Sequence, residues 1–218
     1  MNWYKTATEG RAVPITSEGF GAMPRKEKVA PARNRNITLA TQRLFFTEEY
    51  GNKSQVLQYL SYNRNIHPEV QRLFFTEKYE KKGVVLWDLA SNPSLTPETQ
   101  RLFFTEEYEN KHVVLGKLAR NRNITPATQR LFFTEEYEEK DWVLQDLARN
   151  ESIAPEIQRL LITEKYEEKG WVLYWLAKNE KFLRDFTPDE LLQIKKVARG
   201  NLKLHVLSKR LEQIAGVP

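Results

Sequence analysis

Three histidines, His67, His112 and His205, are the side chains of this chain best suited to hold a transition metal or shuttle a proton near neutral pH. They share no common spacing, so no metal site is expected. Gly51-Asn52-Lys53-Ser54 lacks the upstream glycine and the Gly-Lys adjacency that let a loop cradle phosphates, and Gly19-Phe20-Gly21 follows no strand pattern, as a dinucleotide turn would require. Paired glutamates such as Glu135-Glu136 recur along the chain, which fits a solvated helix end better than a single acid/base pair. Cysteine is absent, excluding disulfides and thiolate ligands and suiting a reducing interior. The chemistry expected is recognition, with no catalysis and no cofactor. Two sets of side chains could carry it: Tyr59, Trp87, Trp142, Trp171, Tyr174 and Trp175, which suit apolar anchoring, and Arg33, Arg35, Arg64, Arg120, Arg122 and Arg149, which suit anions.

The elements that position these residues are repeats. Gln129 to Thr134 reads QRLFFT, and nearly the same words begin at Gln42, Gln71 and Gln100, with QRLLIT at Gln158, each 29 residues after the last. Self-similarity at such a period marks a stacked array in which one unit buries its apolar face only against its neighbours. Within a unit, a first helix is expected at the Thr-Pro step of Thr96-Pro97 or Thr125-Pro126, with threonine as N-cap and proline at the first helical position. His67 and Ala154 stand at two of these cap positions and are weaker caps. On a helical projection Thr128, Leu131 and Phe132 share one arc while Phe133 and Tyr137 share another, so the first helix is covered from two sides. The second helix, expected from about Asp141 to Arg149, shows one stripe of Val143, Leu144, Leu147 and Ala148. Helices of about 11 and 9 residues with short links fill the period and leave no room for a strand. The fold expected is therefore all-α, a right-handed α-solenoid of about five 29-residue two-helix repeats over 33–180, with a C-terminal capping helix pair over 181–218. Residues 1–32, broken by Gly10, Pro14, Gly19, Gly21, Pro24 and Pro31, are expected as an extended or disordered arm.

The stretch VLQDLARNESIAPEIQRLL resembles the leucine-rich repeat variant family through Val143, Leu147, Ala148, Asn150, Pro155 and Leu160, and is similar more broadly to HEAT-like α-solenoids. The longer period and the LFF-TEEYE segment depart from that pattern. The resemblance implies paired helices in a superhelix that serves interaction.

The net charge of +5 lies at the ends, because residues 1–33 carry 6 basic and 3 acidic groups, 34–177 carry 19 and 21, and 178–218 carry 9 and 5. No apolar run reaches the roughly 20 residues of a membrane span, so a soluble, cytoplasmic protein without a membrane partner is expected. Four second-helix positions vary between units opposite the apolar stripe, and four of the five tryptophans fall on them. Such rings either pack against the next unit or form a partner-binding face. The first expectation for function is thus a non-enzymatic protein- or peptide-binding scaffold using that Trp/Tyr-rich face, with no small-molecule substrate; the alternative is nucleic-acid binding through the turn arginines and basic ends. The constant Arg43, Arg72, Arg101, Arg130 and Arg159, with constant Glu48, Glu77, Glu106, Glu135 and Glu164 and constant Lys53, Lys82, Lys111, Lys140 and Lys169, are expected to pair across units and set their register.

Overall fold

A computed structural model of the chain describes residues 15–24, 27–163, 169–179, 186, 187 and 189. Among the described residues there are twelve helices and no strand, and helices pack periodically between neighbouring repeats, as in an all-α repeat solenoid. They fall into two compact units, residues 1–123 and 124–218. The first unit holds α1 (Ser17–Ala22), α2 (Val29–Arg33), α3 (Leu39–Thr47), α4 (Lys53–Ser61), α5 (Pro68–Thr76), α6 (Lys82–Ala90), α7 (Pro97–Thr105) and α8 (Lys111–Ala119). The second holds α9 (Pro126–Thr134), α10 (Lys140–Ala148), α11 (Pro155–Thr163) and α12 (Lys169–Lys178).

First helices start as their caps dictate. Thr38, Thr96 and Thr125 accept from the backbone N–H three residues on, at 3.3, 3.2 and 3.1 Å, and His67 caps with its ring Nδ1, which accepts from Glu69 N at 3.3 Å. These helices run for nine residues instead of about eleven, because two side chains intercept their last carbonyls. Tyr50 Oη donates to Phe45 O at 3.0 Å and Lys53 Nζ to Phe46 O at 2.6 Å; Tyr137 and Lys140 repeat this on Phe132 O and Phe133 O, both at 2.8 Å. Carbonyls that would have drawn the next helical N–H are thereby satisfied, and the chain turns away. The second helix then begins after a residue in the left-handed region: Asn52, Lys81, Asn110 and Glu139 have φ of 66, 54, 56 and 53°.

The core follows the two-arc reading of LFF. Phe46 meets Phe74 edge-on at 4.9 Å between ring centroids, and Phe75 meets Phe103 at 4.9 Å, so the second phenylalanine of one repeat packs on the first of the next. Val56, Leu57 and Leu60, with their equivalents Val85, Leu86, Leu89 and Val143, Leu144, Leu147, form the buried stripe of the second helices.

Register is set by buried amides and not by the charged ladder. Gln42 Nε2 donates to Ile37 O in its own turn (3.2 Å) and to Asn65 O in the next (3.1 Å), while its Oε1 accepts from His67 N at 2.9 Å. Gln71 and Gln129 hold the following turns in the same way. On the other side Asn92 Nδ2 reaches back to Ser61 O and Asn63 O at 2.6 and 2.9 Å, and its Oδ1 accepts from Ser94 N at 2.8 Å. Asn63 and Asn121 repeat the pattern. The expectation of a shared Arg-Glu-Lys register holds only in part: Lys82 feels the charge of Glu106 in the next repeat, but the ladder makes no closed set of pairs among the bonds described. Lys53, Lys82 and Lys140 cap the preceding helix of their own repeat, and Arg43 crosses to Glu69, not to a constant glutamate, in a pair whose side chains are 52 and 56% exposed. Exposed pairs contribute about 0–1 kcal/mol, so the charges follow the stacking.

The second correction concerns the N-terminal segment. Residues 15–24 and 27–32, expected within an extended arm, form with Arg33 and Asn34 an abbreviated repeat. Phe20 is fully buried and packs edge-on against Phe45 and Tyr50 at 5.1 and 5.4 Å, taking the place that Phe46 takes for Phe74 and Tyr79. Lys28, at the head of α2, is buried with its ammonium 4.3 Å from the Phe20 ring centroid, and that burial lowers its pKa. Ala32 O and Asn34 O accept the Asn63 amide, so the asparagine ladder begins here. Residues 1–14 and most of the helix pair expected over 181–218 lie outside the described residues.

Replacing Asn92 by leucine strands Ser61 O, Asn63 O and Ser94 N, and should cost about 3 kcal/mol or more in urea unfolding, against less than about 0.5 kcal/mol for Arg43→Ala. Equal losses would refute the amide ladder as the source of register. At the left-handed turn, Glu139→Asn supplies the residue already present at positions 52 and 110 and should raise stability by on the order of 0.5 kcal/mol, read from the thermal midpoint.

Candidate functional site

The four variable rows of the second helices lie at graded depths. In the row of Gln55, Val84, Val113, Trp142 and Trp171, all but Val113 are exposed, with Trp142 at 41% and Trp171 at 39%. The row of Gln58, Trp87, Gly116, Gln145 and Tyr174 is mixed; Trp87 is 38% exposed, Gly116 buried and Tyr174 half-buried. In the row of Tyr59, Asp88, Lys117, Asp146 and Trp175, all but Asp146 meet the preceding repeat of their own unit, and Asp88 and Asp146 are 4 and 2% exposed. The last row, Tyr62, Ser91, Arg120, Arg149 and Lys178, forms the rim beside the turns.

Within the first unit each seam pairs a cation or an acid with the neighbouring repeat. The Arg33 guanidinium sits 3.9 Å over the Tyr59 ring. Gln58 Nε2 donates to Asp88 Oδ2 at 3.0 Å, and Tyr62 Oη donates to the other carboxylate oxygen. Lys117 Nζ lies 4.3 Å over Trp87. Such contacts explain why aromatic and charged residues trade places along one row: a cation over a ring face and a hydroxyl on a carboxylate both satisfy a half-dry seam.

In the second unit the aromatics gather on adjacent helices. Trp142 is on α10; Trp171, Tyr174 and Trp175 are on α12, with Tyr174 edge-on to both tryptophans at 5.8 and 5.2 Å. Arg149 Nη1 donates to Asp146 Oδ1 at 2.8 Å while its guanidinium covers Trp175 at 3.8 Å. Lys178 Nζ lies 4.7 Å from the Tyr174 ring centroid and 5.5 Å from that of Trp175. Trp142 and Trp171 thus present their rings outward, whereas Trp175, like Tyr59, is held in a seam. Lys178 belongs to this surface too, and Lys117 to the seam over Trp87 in the first unit; both stood in the variable rows, but only their neighbours in space mark them.

Turn arginines divide similarly. Arg33, Arg35, Arg64, Arg120 and Arg122 are exposed, whereas Arg149 is half-buried and engaged with Asp146 and Trp175. Successive turns are bonded edge to edge: Asn65 Nδ2 to Arg35 O at 2.8 Å, Ser94 Oγ to Arg64 O at 2.5 Å, and Asn123 Nδ2 to Pro93 O at 2.9 Å. Positions 35, 64, 93 and 122 therefore stack in one column.

Among the described residues no group of histidine, aspartate or glutamate side chains is arranged to hold a metal ion, and no helix is long and apolar enough to cross a membrane. Compared with known proteins, the chain matches no family model, no curated protein and no solved structure.

The Tyr62 phenol is pushed up to about 12, first by its hydrogen bond to Asp88, then by burial and the Asp88 charge. The folded value lies above the unfolded one of about 10, so the stabilisation is complete below about pH 10 and is lost as pH rises towards about 12. Because Tyr62 is 54% exposed, screening limits it to about 1 kcal/mol. Urea midpoints of wild type and Tyr62→Phe should differ at pH 8 and converge above about pH 10; a gap unchanged with pH would refute the coupling.

Proposed function

We propose that the protein is a non-enzymatic scaffold that binds a protein or peptide segment on the aromatic face of its second helices. The observation that carries this reading is the pair Trp142 and Trp171, on neighbouring helices of one unit, each with about two-fifths of its surface exposed. Tryptophan supplies large apolar area at low entropic cost and is enriched where interfaces gain most of their energy. Arg149 and Lys178 beside the rings favour a ligand that offers carboxylates next to apolar anchors. An extended peptide with alternating acidic and aromatic or aliphatic residues meets both demands. The resemblance to leucine-rich repeat variants points the same way.

A second reading, nucleic-acid binding by Arg33, Arg35, Arg64, Arg120 and Arg122, draws on the exposed column of turns in the first unit. Arg149, the sixth arginine of that reading, lies in the second unit and contacts Asp146 and Trp175, as Arg33 contacts Tyr59.

Selection of a displayed random-peptide library on the protein should enrich acidic-apolar sequences, and a Trp142→Gln/Trp171→Gln variant should lose at least about tenfold in affinity for them. The variant should cost no more than about 2 kcal/mol per site in stability, so its circular dichroism at the assay temperature checks that it is folded. Equal binding by the folded variant, or tight binding of generic single-stranded RNA that falls steeply with salt, would overturn the first reading in favour of the second.

A further inference from the structure

Trp142 and Trp171 hold equivalent places in successive repeats, so the fold fixes how far apart they stand. They are 29 residues apart, one period, on α10 and α12, which pack side by side. Packed helices lie about 8–10 Å apart from axis to axis, and equivalent residues on them are separated by the same distance. Neither ring is without contacts inside the protein, yet 41% of Trp142 and 39% of Trp171 remains exposed. On α10, Trp142 is flanked by half-buried Asp141 and Gln145. The two rings are therefore discrete apolar anchors with polar surface beside them, not the floor of a continuous apolar groove. On α12, Tyr174 stands edge-on to Trp171 at 5.8 Å and 86°.

We infer, resting on the scaffold reading above, that the segment taken by these tryptophans is a polyproline II helix with proline or another apolar residue at every third position. That helix rises about 3.1 Å per residue with three residues per turn, so side chains i and i+3 point the same way about 9.3 Å apart, one helix spacing. A β-strand presents same-side residues about 6.6 Å apart and then about 13 Å apart, and neither distance fits. A strand ligand also draws affinity from main-chain bonds to a sheet edge, and among the described residues there is no strand. An α-helical ligand brings residues seven apart to about 10.5 Å, but its continuous apolar stripe would desolvate Asp141 and Gln145. The polyproline helix makes no internal hydrogen bonds, so its carbonyls are open to the indole Nε1–H of either ring or to the Gln145 amide. Proline-rich segments dock on aromatic surfaces because they are already ordered and lose little entropy on binding. Acidic residues between the anchors meet Lys178, which is exposed and lies 4.7 Å from the Tyr174 ring centroid.

Three fluorescent peptides of equal length and equal negative charge test this on the full-length protein by anisotropy. The first carries proline at every third position, the second has apolar residues at every second position, and the third is an alanine-rich helix with leucines seven apart. The first should bind at least about tenfold more tightly than either of the others. Moving one of two prolines from i+3 to i+4 should weaken binding to the wild type about tenfold and leave binding to Trp171→Gln unchanged, because that variant has one anchor left. Tighter binding of the second or third peptide, lost in folded Trp142→Gln/Trp171→Gln, would overturn the polyproline register and leave the scaffold reading standing. Equal binding of all three, or none, would overturn the register as well. Tight binding of the first peptide that survives unchanged in the folded double variant, its fold checked by circular dichroism, would overturn both.

Discussion

The architecture depends on carboxamides sealed inside it. A glutamine or asparagine side chain has two donor hydrogens and an acceptor oxygen, and burying it without partners costs several kcal/mol. Within each unit the glutamine of QRLFFT and the asparagine of the following turn meet that demand by bonding to main-chain groups of the adjacent repeat, as Gln42, Asn92 and Gln129 do. Asn92 reaches the carbonyl of Asn63, 29 residues earlier, and Asn121 reaches that of Asn92. The period is therefore a hydrogen-bonding distance as much as a packing length. Adding one residue to a turn would misplace several buried partners at once, which apolar packing alone would tolerate better because it is non-directional.

Register held by interior amides leaves the helix ends and outer faces to other tasks. The tyrosine and lysine of T-E-x-Y-x-x-K close the first helix by taking its last carbonyls, and Glu49, just before that tyrosine, stays in water beside Lys53. Second helices are free to vary wherever the next repeat supplies a matching group. Asp88 is possible because Gln58 and Tyr62 precede it, and Lys117 because Trp87 does. Each seam is a local pairing problem with several chemical solutions, as expected when repeats interact mainly with their nearest neighbours.

What the sequence makes legible follows from this division. Apolar periodicity and threonine caps announce the helices, since both signals are local. The glutamine is harder to read: a polar residue inside an apolar word looks like surface, and only its neighbours in space show it to be core. Charges attract attention for the opposite reason, since constant arginine, glutamate and lysine suggest a ladder, yet the hydrogen bonds of Lys82 go to carbonyls of its own repeat and Glu106 of the next repeat acts on it only through its charge. The abbreviated repeat at 15–24 and 27–34 escapes because it keeps Phe20, Lys28 and Asn34 without the motif between them, and Phe20 stands 26 rather than 29 residues before Phe46. Ring exposure is not local at all. Trp171 and Trp175 are one helical turn apart, and Arg149, from the preceding repeat, covers the second together with Lys178.

Coverage by a cation has a further consequence for the surface. A guanidinium stacked on an indole shields one face of the ring while keeping its own edge hydrated, so the ring is dry enough to be stable and the charge is wet enough to be felt. Trp142 keeps 41% of its surface exposed, an apolar area that would gain from being covered if the face binds a partner as proposed. Arg149 is already oriented by Asp146 and Trp175, so less of its conformational entropy is left to lose when an anion approaches. On the proposed reading, the contacts that hold these repeats together also orient the seam's cation for a ligand. If the face binds a partner in that way, stability and recognition are coupled there, and loosening the arginine should weaken capture even where no ligand atom touches the aspartate that holds it.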